Sequence, residues 1–189
     1  MLFNDRKHSI SIILKTIVIV PNFCFIAAAP LRVSSIGISV DAQWKQNGTT
    51  VAGGNGEGHG SNQLNTPLGL YVDDDQTVYV ADLSNDRIME WKTGVTSGKV
   101  VAGGHGTGNG FHQLHRPLAV IVDKESDSLL ISDSANKRIV RWSRRNGTRG
   151  EVILSNINCI GLEMDKNGSL YVVDSENQEV RRYRRGESR

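Results

Sequence analysis

Pro67-Leu68-Gly69-Leu70-Tyr71-Val72-Asp73 is followed, after a short polar turn, by Val78-Tyr79-Val80-Ala81-Asp82 and then by Asn85-Asp86-Arg87-Ile88 leading to Trp91. The same three blocks return twice. Leu118-Ala119-Val120-Ile121-Val122-Asp123 precedes Leu129-Leu130-Ile131-Ser132-Asp133, and Ile160-Gly161-Leu162-Glu163-Met164-Asp165 precedes Leu170-Tyr171-Val172-Val173-Asp174. Asn85, Asn136 and Asn177 then align, as do Ile88, Ile139 and Val180, and finally Trp91, Trp142 and Tyr183. Short β-rich runs at regular spacing with polar turns between them indicate an all-β repeat architecture. The runs are continuously apolar rather than alternating, so each strand is expected to be covered on both faces. A further run at 99–102, echoed at 151–154, makes four strands per unit. Such a sheet cannot bury two apolar faces by itself, and stacking four-stranded sheets radially supplies the missing cover.

Outside these blocks the repeat continues in a glycine run. Thr50-Val51-Ala52-Gly53-Gly54-Asn55-Gly56-Glu57-Gly58-His59-Gly60 recurs at an offset of 50 residues as Val100-Val101-Ala102-Gly103-Gly104-His105-Gly106-Thr107-Gly108-Asn109-Gly110, and the third copy lacks it. The glycine spacing does not give G-x-G-x-x-G, and no Lys-Ser or Lys-Thr follows, so neither dinucleotide nor P-loop chemistry is indicated. The run reads as a flexible connection between units. Asp82, Asp133 and Asp174 each end an apolar strand, where a carboxylate is expected to bond the amide two residues on and start a turn. Asn85, Asn136 and Asn177 suit a left-handed backbone position.

The pattern from Pro67 to Trp91 resembles the NHL repeat, whose family folds as β-propellers, commonly six-bladed. The resemblance covers roughly residues 44–185, with Asp86, Lys137 and Gln178 where the family usually has His before the arginine. It implies an all-β propeller of four-stranded blades. The copies fall at about 50–100, 101–150 and 151–185 within a repeat region of 49–189, and residues 31–48 form a lead-in. Ala42-Gln43-Trp44-Lys45 and Thr49-Thr50-Val51-Ala52 look like the last two strands of a preceding partial blade. The expected product is an incomplete arc of about three and a half blades. Self-association or additional blades would cover its open edges.

The chain has 189 residues, 38% hydrophobic and 22% charged, within the globular range. The net charge of +2 hides a division: residues 1–136 carry 10 basic and 13 acidic side chains, and residues 137–189 carry 12 and 7. The basic cluster there includes Arg141, Arg144, Arg145 and Arg149, the candidate binding surface. Its alternative is a solvated edge that discourages sheet pairing.

Residues 1–30 begin with a mildly basic start, continue through the largely apolar 10–26 and reach Ala27-Ala28-Ala29. This resembles a secretory signal peptide, although Lys15, Pro21 and Asn22 interrupt it. A secreted or extracellular glycoprotein is expected. A membrane contact through the uncleaved segment, or a cytoplasmic location, stays open. The sequons at Asn47, Asn146 and Asn167 suit glycans on turns. Cys24 and Cys159 do not form a zinc or disulfide framework.

No catalytic, cofactor or metal signature is present. His59, His105, His112 and His115 occupy interchangeable loop positions, and Asp73-Asp74-Asp75 lacks the order of a calcium loop. The expected function is a non-enzymatic scaffold that binds a protein or peptide partner through blade-end loops. The NHL resemblance also brings two alternatives. One is RNA binding or substrate recognition, as by the NHL domains of tripartite-motif ubiquitin ligases. The other is a zinc-dependent amidating-lyase-like enzyme.

Overall fold

The computed structural model describes residues 42–186 and the backbone of two strands further upstream, β1 (Thr16–Val20) and β2 (Phe23–Ala27), which pair antiparallel. The rest of the segment read as a signal peptide or anchor lies outside the described residues. Among those described, no helix is long and apolar enough to cross a membrane.

Each apolar block of the repeat is a strand, and each copy is one antiparallel meander. Blade I runs β3 (Pro67–Val72), β4 (Val78–Asp82), β5 (Arg87–Trp91) and β6 (Lys99–Gly103) in that spatial order. Blade II repeats it with β7 (Pro117–Asp123), β8 (Ser128–Asp133), β9 (Arg138–Ser143) and β10 (Gly150–Ser155). Blade III has three described strands, β11 (Cys159–Met164), β12 (Leu170–Asp174) and β13 (Glu179–Tyr183). The first strands lie side by side, with β7 packed against both β3 and β11. This is the stacked-sheet plan of a partial β-propeller.

The continuous apolar runs have the expected cause. Tyr79, Ala81 and Ile88 of blade I meet Val120, Val122, Leu129, Ile131, Val140 and Trp142 of blade II in one buried cluster. On the other face of blade II, Ile121, Leu130 and Ile139 meet Cys159, Leu170 and Val172 of blade III. Alternate residues of β7, β8 and β9 thus serve two cores, and a polar side chain within them is bonded, as the buried Ser132 hydroxyl is to the Cys159 carbonyl. Trp91 and Trp142 are 1% and 2% exposed. The Trp142 indole N–H donates to the Gly147 carbonyl at 2.8 Å, which removes the cost of burying it. Tyr183 in blade III is only half-buried.

Gly69 marks the tightest approach between blades. A Cβ there would lie 2.3 Å from the Leu118 carbonyl oxygen and 2.8 Å from the Ala119 Cα, both main-chain atoms that cannot rotate away.

The expected partial blade over 42–52 does not form. These residues join no strand, and Trp44 is 78% exposed. Third and fourth strands need inner strands to bond to, and the 42–52 amides pair with none among the described residues. Ala52 and Leu64 instead pack on Val80, Met89 and Trp91, closing the outward face of blade I with loop rather than sheet.

Trp142→Ala should lower stability by about 3–5 kcal/mol, the usual cost of removing a large buried aromatic side chain. Gly69→Ala should also lower the urea midpoint clearly. Gly48→Ala, which has no heavy atom within 4 Å of the added methyl, should leave it unchanged.

Candidate binding surface

The loops on which a binding surface depends are held by one recurring unit. Asp82 is fully buried at the end of β4, and its Oδ1 accepts the Asn65 amide at 2.7 Å from the chain entering the blade. Its Oδ2 accepts Asn85 Nδ2 at 2.8 Å and Arg87 Nε at 2.7 Å. The Arg87 guanidinium continues to the carbonyls of His59 at 2.8 Å, Gly60 at 3.1 Å and Gln63 at 3.2 Å, while Asn85 reaches the Gly58 carbonyl at 2.9 Å. Blade II repeats the unit. Asp133 accepts from the His115 amide, Asn136 and Arg138, and Arg138 donates to the carbonyls of Asn109, Gly110 and Gln113.

The glycine runs are therefore clamped rather than flexible. Gln63 and Gln113 bind them from inside, each accepting the amide of Gly60 or Gly110 on its side-chain carbonyl. Gly58 and Gly108 make room, since a Cβ on either would fall 2.3 Å from the glutamine Oε1. In blade III, Glu179 replaces the arginine and there is no glycine run. Asp174 instead accepts its own turn amides, from Glu176 at 3.2 Å and Asn177 at 3.4 Å. The turn expected at every copy forms this way only there, because in the other two the carboxylate is committed to the entering chain. The left-handed residue is likewise not the asparagine but the one after it: Asp86, Lys137 and Gln178 have φ of 51°, 49° and 55°.

The expected arginine surface divides. Arg144 turns inward between blades, where its Nη2 lies 2.6 Å from Asp73 and 2.9 Å from the Tyr79 hydroxyl, with the guanidinium carbon 5.5 Å from the Tyr79 ring centre. Burial pushes the Tyr79 phenol up to about 12, against the opposing pull of Arg144. Arg144 also pairs with Asp127 at 3.3 Å, and Arg145 pairs with the same carboxylate at 2.5 Å while remaining exposed. Arg144 is thus taken up between the blades, a correction to the sequence reading that follows from long-range pairing, whereas Arg145 stays on the surface beside Asp127. Arg141 and Arg149 do come together.

Arg141 and Arg149 line a shallow groove of about 480 Å³ with Phe111, Ser128 and Glu151. Arg141 pairs with Glu151 at 3.5 Å, and its Nε is buried with no hydrogen-bond partner among the described residues. Phe111, 69% exposed, stands at the tip of the second glycine loop, where its carbonyl accepts the Gly150 amide at 2.6 Å. The sequence reading missed Phe111. Its signal was a lone aromatic at a position that holds Ser61 in the first copy.

Asn47, Asn146 and Asn167 are all exposed. His105 and His112 meet edge to face at 5.5 Å, and among the described residues no three His, Cys, Asp or Glu side chains converge as metal ligands would. Cys159 is buried, its thiol pushed up to about 11 by that burial, which makes it a packing group rather than a nucleophile. Glu163 in β11 is half-buried, and desolvation raises its carboxyl to about 7.

No family model matches the chain, and no curated protein is similar to it. Solved structures do resemble it. A chain of the nidogen/laminin complex matches with a TM-score of 0.53 at 19% identity, covering 64% of this chain and 44% of the other. Virginiamycin B lyase from Staphylococcus aureus matches with a TM-score of 0.46 at 13% identity, covering 68% and 44%. The chain thus spans less than half of either structure. The likeness is one of fold, the β-propeller.

Asp133→Ala strands the Arg138 guanidinium and frees the entering chain, and should cost about 3–5 kcal/mol. Hydrogen exchange of amides in 105–113 should accelerate with it. Glu163 gives a pH signature. Its folded pKa lies above the unfolded value, so its contribution is fully present below about pH 4.5 and is lost as pH rises through about 7. Glu163→Gln should remove that decline from unfolding curves recorded between these values.

Proposed function

We propose that the chain is a non-enzymatic propeller scaffold of NHL type that binds a protein or peptide segment through the loops at its blade ends. The observation that carries this reading is the groove beside Phe111. It sets an exposed aromatic ring next to Arg149 and to an Arg141 whose buried Nε has no partner among the described residues. Aromatic and arginine side chains on a rigid support are what protein interfaces use as anchors. The clamped glycine loop supplies the rigidity, so little ordering cost is left for the moment of binding. A ligand with an apolar side chain and a nearby carboxylate fits both features.

The RNA reading is weakened by the acidic partners of Arg144 and Arg145, which leave fewer cations for phosphate. Exposed sequons fit an extracellular setting, where the scaffold would be secreted and glycosylated at Asn47, Asn146 and Asn167.

Peptides selected from a random library on the folded chain should carry an acidic and an apolar residue. Their affinity should fall about tenfold or more, a loss of about 1.4 kcal/mol, on Phe111→Ala and on Arg149→Ala, at unchanged thermal midpoint. Binders insensitive to both changes would overturn the placement, and single-stranded RNA binding with a steep salt dependence would overturn the ligand class.

A further inference from the structure

The two junctions between blades use the same positions and fill them differently. At the first, Tyr79 of β4 and Trp142 of β9 occupy the space between the sheets. The Arg144 guanidinium carbon lies 5.5 Å from the centre of the Tyr79 ring. The Tyr79 hydroxyl donates to Glu90 at 3.2 Å and accepts from Arg144 Nη2 at 2.9 Å, and Asp73 holds the same guanidinium at 2.6 Å. At the second junction the counterpart of Tyr79 is Leu130 and that of Trp142 is Tyr183, each a smaller side chain. Arg185, the counterpart of Arg144, is held by Asp123 at 2.6 Å and Glu125 at 3.0 Å, and Leu130 offers it neither ring nor hydroxyl. The space left between the sheets is a cavity of about 610 Å³, lined by Leu130, Leu154, Met164, Leu170 and Tyr183, and by Arg141. That volume falls within the ~300–1,000 Å³ of small-molecule sites. The fold does not demand it, since both other copies carry tyrosine at the Leu130 position, Tyr79 and Tyr171.

Charge is inverted as well. Arg141 stands where Glu90 stands at the first junction, and Glu151 lies opposite it where Lys99 lies opposite Glu90. Arg141 alternates with Val140 and Trp142, and so shares with Ile139 the side of blade II that faces blade III. Its register neighbour in β8 is Leu130, which has no hydroxyl to give it. Glu151 is met only at 3.5 Å, with the two side chains 40% and 69% exposed, and the Arg141 Nε has no acceptor among the described residues. A pair so exposed contributes little, and the guanidinium is left open to a stronger acceptor. The carboxylate of Asp123, which also lines the cavity, is already held by Arg185 and by the Ser126 hydroxyl.

We propose that the cavity between blades II and III is a binding site for a small carboxylic acid with an apolar body, its carboxylate on the Arg141 guanidinium and its body against Leu130, Met164, Leu170 and Tyr183. An amine of the same shape would be repelled by Arg141 and Arg185, and an alcohol would forgo the charge-assisted bond. The cavity shares Arg141 with the Phe111 groove and none of its other lining residues, so this site does not rest on the reading of that groove.

Met164 lines the cavity and Met89 is buried in the core of blade I, so their methyl resonances supply a reporter and an internal control. Titration of the full chain, labelled at its methionine methyls, with phenylbutyrate should shift the Met164 signal saturably and leave that of Met89 in place. Phenylbutanol, the neutral counterpart, should bind about tenfold more weakly or worse. Arg141→Gln should bring the acid down to the level of the alcohol and leave the alcohol unchanged. Leu130→Tyr, which restores the residue of the other two copies, should abolish binding of both probes by filling the space. Tyr183→Trp fills it from the opposite sheet, and is read instead if Leu130→Tyr lowers the thermal midpoint. Phe111→Ala, outside this cavity, should leave the affinity for phenylbutyrate as it was. The proposal fails if Met164 shows no saturable shift, if acid and alcohol bind alike, or if binding survives a filling variant that keeps its fold. It fails as well if Phe111→Ala weakens the acid as much as Arg141→Gln does, because the probe then sits in the loop groove. Library peptides indifferent to Phe111 and Arg149, with this titration intact, would overturn the loop reading alone.

Discussion

A buried carboxylate at the end of the second strand organises each blade. Asp82, Asp133 and Asp174 are all 0% exposed, and an ion so placed is tolerated only when its oxygens are fully occupied. In blades I and II the occupants come from three directions: an amide of the entering chain, an asparagine three residues on and an arginine five residues on. That requirement fixes where the chain enters the sheet, and through the arginine it fixes the glycine loop. The loop carbonyls in turn satisfy the guanidinium, so neither partner could be kept without the other. Blade III shows the dependence from the other side, since arginine and glycine run are missing together and Asp174 falls back on the amides of its own turn.

The strands themselves have little freedom to do anything but pack. Their side chains alternate between the cores on either side, and the volume between first strands is small enough that Gly69 cannot acquire a methyl group without moving the backbone of its neighbour. Binding capacity is therefore confined to loops, to whatever sheet surface no blade covers and to the junction where smaller side chains leave a cavity. The loops are suited to it because the aspartate-centred unit holds them still, and Phe111 is presented from a segment whose two flanks are tied down by Gln113 and by Arg138. An aromatic ring on a mobile loop would lose affinity to ordering; on this one it is already positioned.

The strands were legible in the sequence because each is a local event: an apolar run, a terminating aspartate and a turn, repeated three times in register. The burial of Trp91 and Trp142 followed from the same repetition. What local reading could not supply was pairing across distance. Arg144 looked like part of a solvent-exposed basic cluster because its neighbours in sequence are basic, whereas its partners Asp73 and Tyr79 lie 71 and 65 residues away. The glycine runs looked flexible because glycine is, and the clamp that orders them comes from residues more than twenty positions downstream. Residues 42–52 carried strand-like composition without an inner strand to pair with, and composition alone does not make a ladder.

The third copy departs from the other two on both faces of its sheet. Glu163 stands for an apolar or aromatic residue on the side of the exposed Val173 and Val180, whereas Glu179 stands for arginine on the opposite side, where Arg181 joins it to the buried Asp174. Toward blade II the copy stays faithful, with Leu162, Met164, Leu170, Val172 and Tyr183 all packed into the shared core. Loss of constraint would leave an exposed face with unrelated polar residues. Here Asp165 and Tyr171 keep the positions of Asp73 and Tyr79, which hold Arg144, but Tyr171 donates to Asp165 where Tyr79 donates to Glu90, and Glu163 places a further carboxyl in a half-buried setting that raises its pKa to about 7. A carboxyl in that setting is costly to ionise alone, and a neighbouring cation would reverse the cost. The face of blade III therefore combines the apolar surface of an internal blade, at Val173 and Val180, with a mixed set of charges in which Asp165 and Glu163 stand close to Lys166 and Arg182.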